Sequence, residues 1–233
     1  MGDRLTRQRS ILPNTDKLKD KTVAVLGLGG VGGTAAEALC RAGVGRLILV
    51  DHDMFEETNL NRQIFCFSDS LGKKKTECAK EYLLKIAPDT KIETLPIFFS
   101  EDTKELLFSL NPDFIVDAID TVSSKKFLIK TAAEKGVPLI SSMGTGNRLD
   151  PTLLKIGKIS ETKGTSCPLA RVMRKELLKE GIENTPVVYS TEQPKKVSLS
   201  SENGKHSPGS AVFVPQAAGL SMAYYVVSSL CKG

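Results

Sequence analysis

The feature that most constrains this chain is the glycine-rich segment at residues 27–32 (GLGGVG), which follows an apolar run and precedes a stretch of small residues. Residues 21–26 (KTVAVL) have the apolar, β-branched composition of a buried parallel strand. Residues 31–42 carry small and apolar residues at helical spacing and stop at Gly43, which suits a helix terminus. A second apolar run at residues 46–50 (RLILV) has the composition of another buried strand. Together, these three segments predict a βαβ unit in which a tight glycine turn joins the first strand to the helix.

The alternation of strands and helices continues as far as residue 145. The patterns predict further helices at residues 74–86, 103–110 and 123–135, and further strands at residues 91–95, 114–116 and 137–140. This order predicts an α/β fold with a Rossmann-like, doubly wound and mostly parallel sheet. Ligands bind to such sheets at the carboxyl ends of the strands.

After residue 146 the rhythm changes, and we expect a C-terminal extension made of strand and helix. Its predicted elements are a strand, an amphipathic helix, a mobile polar loop and a final helix, at residues 153–159, 168–179, 190–210 and 214–230. The loop is expected to be mobile because it is rich in Ser, Lys, Pro and Gly and has few apolar residues. We expect one domain over residues 1–233, with a Rossmann-like part at residues 1–145 and the extension at residues 146–233.

Composition argues against several other classes of protein. With 233 residues, 40% hydrophobic and 25% charged, the chain has the make-up of one globular domain. No run of about 18 apolar residues and no signal-peptide pattern occurs, so we expect an intracellular, cytoplasmic protein that does not engage a membrane. Five scattered cysteines without a C-x-x-C pair predict neither disulfides nor a structural zinc site. A net charge of +5 is compatible with a polyanionic partner without requiring one.

The glycine segment matches G-x-G-x-x-G, in which glycines let backbone amides approach a phosphate at the start of a helix. Asp51 stands at the tip of the second strand, where a carboxylate can bind the hydroxyls of a ribose. At this point NAD and ATP fit the pattern equally well.

The cationic residues that come next favour ATP. Arg62 lies in residues 59–63 (NLNRQ), and Lys75 ends residues 72–75 (GKKK). A triphosphate attacked at its α-phosphorus gathers negative charge that these two cations would stabilise, whereas hydride transfer has no such need. Asp120 follows a strand and could hold Mg²⁺ on the phosphates, although an aspartate there could equally cap the next helix. Taken singly, Arg62 and Lys75 could also be solvated surface residues.

In combination these motifs resemble those of the ubiquitin-activating-enzyme-like superfamily, which includes bacterial enzymes that adenylate sulfur-carrier proteins. The resemblance covers residues 4–145 and rests on an ordered signature: Arg7-Gln8, Gly27 to Gly32, Asp51-x-Asp53, Asn59-x-x-Arg62-Gln63, Gly72-x-x-Lys75 and Asp117-x-x-Asp120. It implies that ATP is bound by Gly27, Gly29, Gly30, Gly32, Asp51, Asp53, Asn59 and Gln63. It also implies catalytic roles for Arg62, Lys75, Asp120 and Arg7.

The resemblance further implies a Mg²⁺ ion on Asp120 and a homodimer. In this superfamily an arginine at the position of Arg7 reaches the phosphates bound by the neighbouring subunit. Each ATP site would then be completed across the subunit interface.

Later motifs are similar to those of superfamily members that act on tRNA, where they cyclise a threonylcarbamoyl group on an adenosine of the anticodon loop. The matching segments are Asp117 to Thr121 with Lys125-Lys126, Ser141 to Gly146, Asp150 to Thr152, Cys167 to Arg171, Gly209 to Ala211, Phe213 to Pro215 and Ala218 to Leu220. The resemblance implies that the threonine carboxylate on tRNA is adenylated and cyclised, with release of AMP and pyrophosphate. In this interpretation the first 145 residues bind ATP and the rest contact the tRNA.

Two alternatives stay open. The chain could instead activate the C-terminal Gly-Gly of a ubiquitin-like sulfur-carrier protein, and a cysteine-desulfurase or sulfur-acceptor partner is compatible with the superfamily. An NAD-dependent dehydrogenase or a catalytically silent nucleotide-binding module is a rival of a different class.

Basic residues in the second half are candidates for tRNA contact. Arg171, Arg174, Lys175 and Lys179 share one face of the predicted helix at residues 168–179. They are expected to meet tRNA phosphates, although an ordinary amphipathic helix would look the same. Lys195, Lys196, Lys205 and His206 add charge in the predicted loop. Cys167 precedes that helix, where a thiolate would be favoured, but it could equally be a buried small hydrophobe.

Overall fold

The computed structural model describes residues 3–197, 199–200 and 206–232. The strands are β1 (Thr22–Leu26), β2 (Arg46–Val50), β3 (Lys91–Leu95), β4 (Phe114–Asp117), β5 (Leu139–Ser142), β6 (Leu154–Lys158), β7 (Pro186–Ser190), β8 (Leu199–Ser200) and β9 (His206–Ser207). The helices are α1 (Thr6–Arg9), α2 (Gly30–Ala42), α3 (Lys75–Ile86), α4 (Lys104–Phe108), α5 (Val122–Glu134), α6 (Pro168–Lys179) and α7 (Phe213–Cys231). Short 3-10 helices lie at Thr15–Asp20, Glu57–Asn59, Ser68–Ser70, Pro151–Leu153 and Ile159–Thr162.

The described residues form a seven-stranded sheet in the order β3-β2-β1-β4-β5-β7-β6. All neighbouring strands in it run parallel except β6 and β7, which pair antiparallel. The prediction of an α/β, doubly wound and mostly parallel sheet is therefore confirmed.

Each central strand contributes to two apolar cores, one on each face of the sheet. In β1, Val23 and Val25 join one core, while Ala24 and Leu26 join the other. Successive side chains of a strand point to opposite faces, so a strand that is covered on both faces has to be apolar throughout. This is why the strand patterns were readable from the sequence.

Differences from the predicted elements concern short segments. The strand expected at residues 137–140 begins instead at Leu139 and ends at Ser142, because Pro138 has no N–H to donate to a ladder. The helix expected at residues 103–110 is shorter, at Lys104–Phe108. The sequence reading missed β7, whose apolar run is brief and has no periodicity of its own.

The strand order reverses next to β1, which pairs with β2 on one side and with β4 on the other. A crevice opens at the carboxyl ends of strands wherever such a reversal occurs. The glycine segment follows β1 directly, and the turn that carries Asp120 follows β4. The fold thus brings two distant sequence motifs to one edge of the sheet.

Residues after 146 extend the same sheet and also cover it. β7 pairs with β5 through Ser141 and Val187, and α7 packs along α2. A side-chain carbon added at Gly219 of α7 would overlap the carbonyl oxygen of Val31, so glycine is required for this close contact between the two helices. The glycine segment therefore lies next to an element from the far end of the chain.

Part of the predicted loop at residues 190–210 lies outside the described residues, namely Ser198 and residues 201–205, which include Lys205. Within the described part, β8 and β9 pair antiparallel through Leu199 and Ser207. Among the helices that the structure describes, none combines the length and the apolar character needed to cross a membrane.

Candidate active site

The glycine segment is bent by a close approach to the turn after β4. Gly27 has a φ of +84°, and a side-chain carbon there would lie 2.6 Å from the carbonyl oxygen of Ala118. An added carbon at Gly32 would overlap the carbonyl oxygen of Gly27. At Gly29, by contrast, the nearest atom is Nε2 of Gln63 at 4.0 Å. The loop is closed toward the protein and open in front of the α2 N-terminus, where unpaired amides can bind an anion.

Asp51 holds this loop from the end of β2. Its Oδ2 accepts a hydrogen bond from Leu28 N at 2.6 Å, and its Oδ1 accepts one from Asp53 N at 2.8 Å. The carboxylate is buried, with 8% of the residue exposed. Each carboxylate oxygen has further lone pairs, so Asp51 can shape the loop and still accept a ribose hydroxyl. The anchoring contact was not foreseen from the sequence.

Arg62 lies over the first turn of α2, where its carbonyl oxygen would be 3.3 Å from a side-chain carbon added at Gly30. Its Nη1 donates to Thr58 O at 2.7 Å and to Asn61 Oδ1 at 2.9 Å. No carboxylate of the described residues forms an ion pair with it. Burial lowers the pKa of the Arg62 guanidinium, yet arginine stays charged at neutral pH. The site therefore contains a half-buried cation without a counter-ion.

Asn59 and Gln63 flank Arg62 and are both buried. Asn59 Oδ1 accepts from Glu56 N at 3.2 Å, which shapes the turn before Arg62. Gln63 Oε1 has no hydrogen-bond partner among the described residues. Because a buried amide oxygen left unpaired is costly, Gln63 is available to accept a hydrogen bond from a ligand.

Of the three consecutive lysines at residues 73–75, the structure buries Lys75 and leaves the other two exposed. Lys75 is 6% exposed, and its Nζ donates to Asp53 Oδ2 at 2.8 Å. The Asp53 side chain is 50% exposed. Two residues predicted to bind ATP are thus paired with each other, and a phosphate would have to share or replace Asp53 as the partner of Lys75.

Asp120 lies exposed at the end of the turn after β4. Its one hydrogen-bond contact among the described residues is with Thr121 Oγ1 at 3.4 Å, and the N-cap position of α5 is occupied by Thr121. The alternative role of Asp120 as the helix cap is therefore wrong. A carboxylate oxygen that is free of cations suits Mg²⁺, which binds proteins through one or two carboxylates together with the phosphates of a substrate.

One group of three possible metal ligands occurs in the described part of the chain, at Asp51, His52 and Asp53. Asp51 already accepts two backbone amides and Asp53 already pairs with Lys75. This group therefore fits the organisation of the loop better than it fits a metal ion.

A buried hydrogen-bond network that the sequence did not predict lies beneath the site. Lys125 Nζ lies 2.8 Å from Asp117 Oδ2, both side chains are 0% exposed, and Ser141 Oγ donates to the same oxygen at 2.7 Å. Asp117 Oδ1 accepts from Ile119 N at 3.1 Å. The network fixes the turn that carries Asp120. In the sequence, Asp117 and Lys125 are only an aspartate at a strand end and a lysine eight positions later. Their pairing cannot be predicted from that spacing, because it depends on how β4, β5 and α5 pack together.

Arg7 is exposed on α1 and does not belong to the site of its own chain. The neighbouring Gln8 donates from Nε2 to Ala42 O at 2.8 Å, which places α1 beside the C-terminal end of α2. The glycine segment lies at the other end of this 13-residue helix, which is about 20 Å long at 1.5 Å per residue.

The basic residues of α6 divide into two pairs. Arg171 and Lys175 are exposed. Arg174 donates to Thr162 Oγ1 at 3.0 Å, and Lys179, which is also exposed, pairs with Glu176 at 2.7 Å. The predicted stripe thus has two residues engaged within the protein.

Cys167 is 1% exposed, and its sulfur accepts the amide of Ala170 at the start of α6. Its environment is that of a buried helix cap, and in this structure the thiol is shielded from solvent.

Comparison with known proteins identifies relatives of this chain in sequence and in structure. The model of the ThiF family matches residues 4–231. The tRNA threonylcarbamoyladenosine dehydratase of Bacillus subtilis is 41% identical over 229 residues, which cover 93% of this chain and 89% of that protein. The Escherichia coli tRNA N6-threonylcarbamoyladenosine dehydratase TcdA has been solved in complex with ATP and with AMP. Both structures superpose with a TM-score of 0.84 over 93% of this chain and 88% of that one, at 28% and 29% identity.

We predict that Lys125→Met lowers the free energy of unfolding by about 3–5 kcal/mol, because it leaves the Asp117 carboxylate buried without its partner. The measurement is urea denaturation followed by circular dichroism. The control is Lys126→Met at the adjacent lysine, which is partly exposed and pairs with Glu176, where the change should stay within about 1 kcal/mol. Equal losses in the two variants would contradict a special role for the buried pair.

Proposed function

Because the chain belongs to the ThiF family, we propose that it adenylates the threonine carboxylate of threonylcarbamoyladenosine in tRNA and drives its cyclisation. AMP and pyrophosphate are released. The observation that carries the proposal is the cationic site at the strand-order reversal, where Arg62 lies against Gly30 of the glycine loop and has no counter-ion among the described residues. A nucleotide phosphate is the ligand that satisfies both features. The similarity to the Bacillus subtilis dehydratase supports the same function.

The proposed chemistry has two steps. The threonine carboxylate attacks the α-phosphorus of ATP and pyrophosphate leaves, while Arg62 and Lys75 stabilise the charge that gathers on the phosphates. The carbamoyl group of the same modification then attacks the activated carbonyl carbon, AMP leaves and a ring closes, which amounts to loss of water. Since both reactants belong to one nucleotide, the second step is intramolecular and depends mainly on positioning.

Mg²⁺ is proposed to bind at Asp120. The exposed carboxylate without a cationic partner supports this position, and the ion, when bound, supplies positive charge to the phosphates. The chain's own contribution is to hold Asp120 in place through the hydrogen bond between Asp117 and the turn.

A homodimer is proposed because Arg7 lies too far from its own glycine segment to act there. A second copy also offers a cover for an apolar face of α7, on which Phe213, Leu220 and Tyr224 are 57%, 56% and 67% exposed. Their spacings of seven and four residues place them on one side of the helix. Leu220 also borders a groove that Gln8 lines. The apolar face and α1 thus lie on neighbouring surfaces that one partner could contact together.

The division of labour along the chain is also a proposal. Residues 1–145 would bind ATP and residues 146–233 would contact tRNA through the basic residues of α6, of which Arg171, Lys175 and Lys179 are exposed and Arg174 is half-buried. Action on tRNA implies a cytoplasmic location. A cysteine-desulfurase or sulfur-acceptor partner would need a surface of its own, and no described cysteine is fully exposed.

The proposal predicts exchange of radioactive pyrophosphate into ATP when tRNA carrying threonylcarbamoyladenosine is supplied. Unmodified tRNA and a ubiquitin-like carrier protein ending in Gly-Gly should give background exchange, because the substrate carboxylate is then absent or wrongly presented. Exchange that follows the carrier protein and ignores the tRNA would identify the chain as a sulfur-carrier-activating enzyme. Tight binding of NAD without any pyrophosphate exchange would instead indicate an NAD-dependent dehydrogenase.

For the site residues, we predict that Lys75→Ala lowers the rate of AMP formation at least about 100-fold, because the transition-state charge loses a buried cation. Arg62→Ala and Asp120→Ala should lose activity in the same way with circular dichroism unchanged. The matched control is Lys74→Ala, since Lys74 is exposed and forms its salt bridge with Glu77 on the surface of α3. A rate in Lys75→Ala within threefold of the Lys74→Ala rate would remove Lys75 from the mechanism.

The shared site is tested by mixing two inactive proteins, Arg7→Ala and Asp120→Ala. In a mixed dimer one of the two sites has both native residues, so we expect up to about a quarter of wild-type activity to return when equal amounts exchange subunits randomly. Activity is measured as AMP release, with light scattering to confirm the dimer. No recovery in a mixture shown to contain mixed dimers would overturn the role of Arg7 across the interface.

A further inference from the structure

Arg148 is a buried cation that the reaction described above does not use. It follows β5 by six residues and is 4% exposed. Its Nη1 donates to the carbonyl oxygens of Gly144 at 2.9 Å and Gly146 at 3.1 Å. These two bonds use both hydrogens of Nη1 and fix the plane of the guanidinium.

The opposite edge of the same group is unpaired. Nε and Nη2 of Arg148 are buried and have no hydrogen-bond partner among the described residues, and no described carboxylate forms an ion pair with the group. Arginine does not lose its charge in proteins, and a buried charge without a partner is strongly unfavourable. Three buried N–H donors therefore have no partner among the described residues.

A second buried polar group without a partner occurs in the segment before α6. Ser166 Oγ is buried without a partner in the part of the chain that the structure describes. The next residue, Cys167, reaches Gly144, where a side-chain carbon would be 3.1 Å from its sulfur. Two segments thus meet at Gly144, since Arg148 donates to its carbonyl oxygen and Cys167, the neighbour of Ser166, lies against it.

The position of Gly144 connects these groups to the site. Asp117 of β4 pairs with Ser141 of β5. Asp120 lies three residues after Asp117, and Gly144 lies three residues after Ser141. The ends of parallel neighbours lie at one edge of a sheet, and adjacent strands are about 4.8 Å apart. The unsatisfied groups therefore lie at the same edge as Asp120, on the side toward the extension.

The backbone around Arg148 is held firmly. Glu192 accepts hydrogen bonds from Leu149 N at 3.1 Å and from Asp150 N at 3.0 Å. Asn147 N donates to Gly209 O at 2.7 Å and Asn147 Oδ1 accepts from Gly209 N at 2.6 Å. A receptor group fixed before the ligand arrives loses little conformational freedom on binding.

We propose that Arg148 binds the carboxylate of the threonylcarbamoyl group through its Nε–Nη2 edge. The planar edge of a guanidinium matches the two oxygens of a carboxylate. Shielding from water strengthens such a pair. Arg148 would then hold the nucleophile of the first step beside the ATP site, an assignment that rests on the proposed function and adds the residue that recognises its substrate.

The test compares Arg148→Met with Arg148→Lys, and with Arg46→Met as the control. Arg46 lies at the start of β2, at the opposite edge of the sheet, and pairs with Glu93. The measurements are kcat/KM for modified tRNA at saturating ATP, the Kd for ATP, and the Kd for unmodified tRNA. For Arg148→Met we expect kcat/KM to fall about 10- to 100-fold, in line with the loss of a charged, bidentate contact.

Both Kd values should stay within twofold of wild type, since neither ligand carries the carboxylate. Arg148→Lys should recover part of the loss in kcat/KM, because lysine keeps the positive charge. The recovery should be incomplete, because lysine cannot make two parallel hydrogen bonds to a carboxylate. If the methionine variant does not fold, the lysine variant provides the test. Arg46→Met should leave kcat/KM unchanged.

Three results would overturn the assignment. A kcat/KM within twofold of wild type for both Arg148 variants would show that no carboxylate is held there. Weaker binding of unmodified tRNA by the same factor as kcat/KM would identify a phosphate contact instead. A parallel loss of ATP affinity would show a structural role. If the wild type forms no AMP with modified tRNA, the proposed function fails first and takes this inference with it.

Discussion

The structure depends on the close approach between the glycine segment and the turn after β4. Gly27 touches the carbonyl of Ala118, so the ends of β1 and β4 meet where the strand order reverses. That meeting brings the α2 N-terminus and Asp120 to one edge of the sheet. Asp51, at the end of β2, also holds the loop, because its carboxylate accepts a hydrogen bond from the backbone N–H of Leu28. A side chain at Gly27 would require both φ strain and a steric overlap, and the site would separate into unrelated pieces.

Two lysine–aspartate pairs in this region have opposite consequences because they differ in burial. Lys125 and Asp117 are both fully buried, so neither side chain can leave the other to bind a ligand. The pair therefore has a structural role and supports the turn that carries Asp120. In the pair of Lys75 with Asp53, the lysine is buried but the carboxylate is half-exposed. Such a carboxylate can turn into water at little cost, which leaves the lysine for a phosphate. In the proposed function, the same two residue types thus serve architecture in one place and phosphate binding in the other.

The second half of the chain contributes to the same edge of the sheet. It extends the sheet through β7 and packs α7 on α2, and it also brings Arg148 and Cys167 to Gly144. Native proteins leave few buried polar groups unpaired, and the exceptions tend to lie where a ligand completes them. Gln63 and Arg148 are two such exceptions among the described residues. In the proposed function, the nucleotide would complete Gln63 and the substrate carboxylate would complete Arg148.

The sequence by itself determined the α/β class, most elements of the sheet and the position of the glycine loop, because these follow from local periodicity and from residues close together in the chain. It also indicated ATP through the charge of Arg62 and Lys75. Only the tertiary structure decided which of the three lysines is buried and that Arg7 lies at the far end of α2. The partners of Asp117 and the isolation of Arg148 were likewise invisible, since each depends on contacts between segments far apart in sequence. Periodicity reports the face on which a residue lies, whereas pairing and burial depend on what the rest of the chain places opposite it.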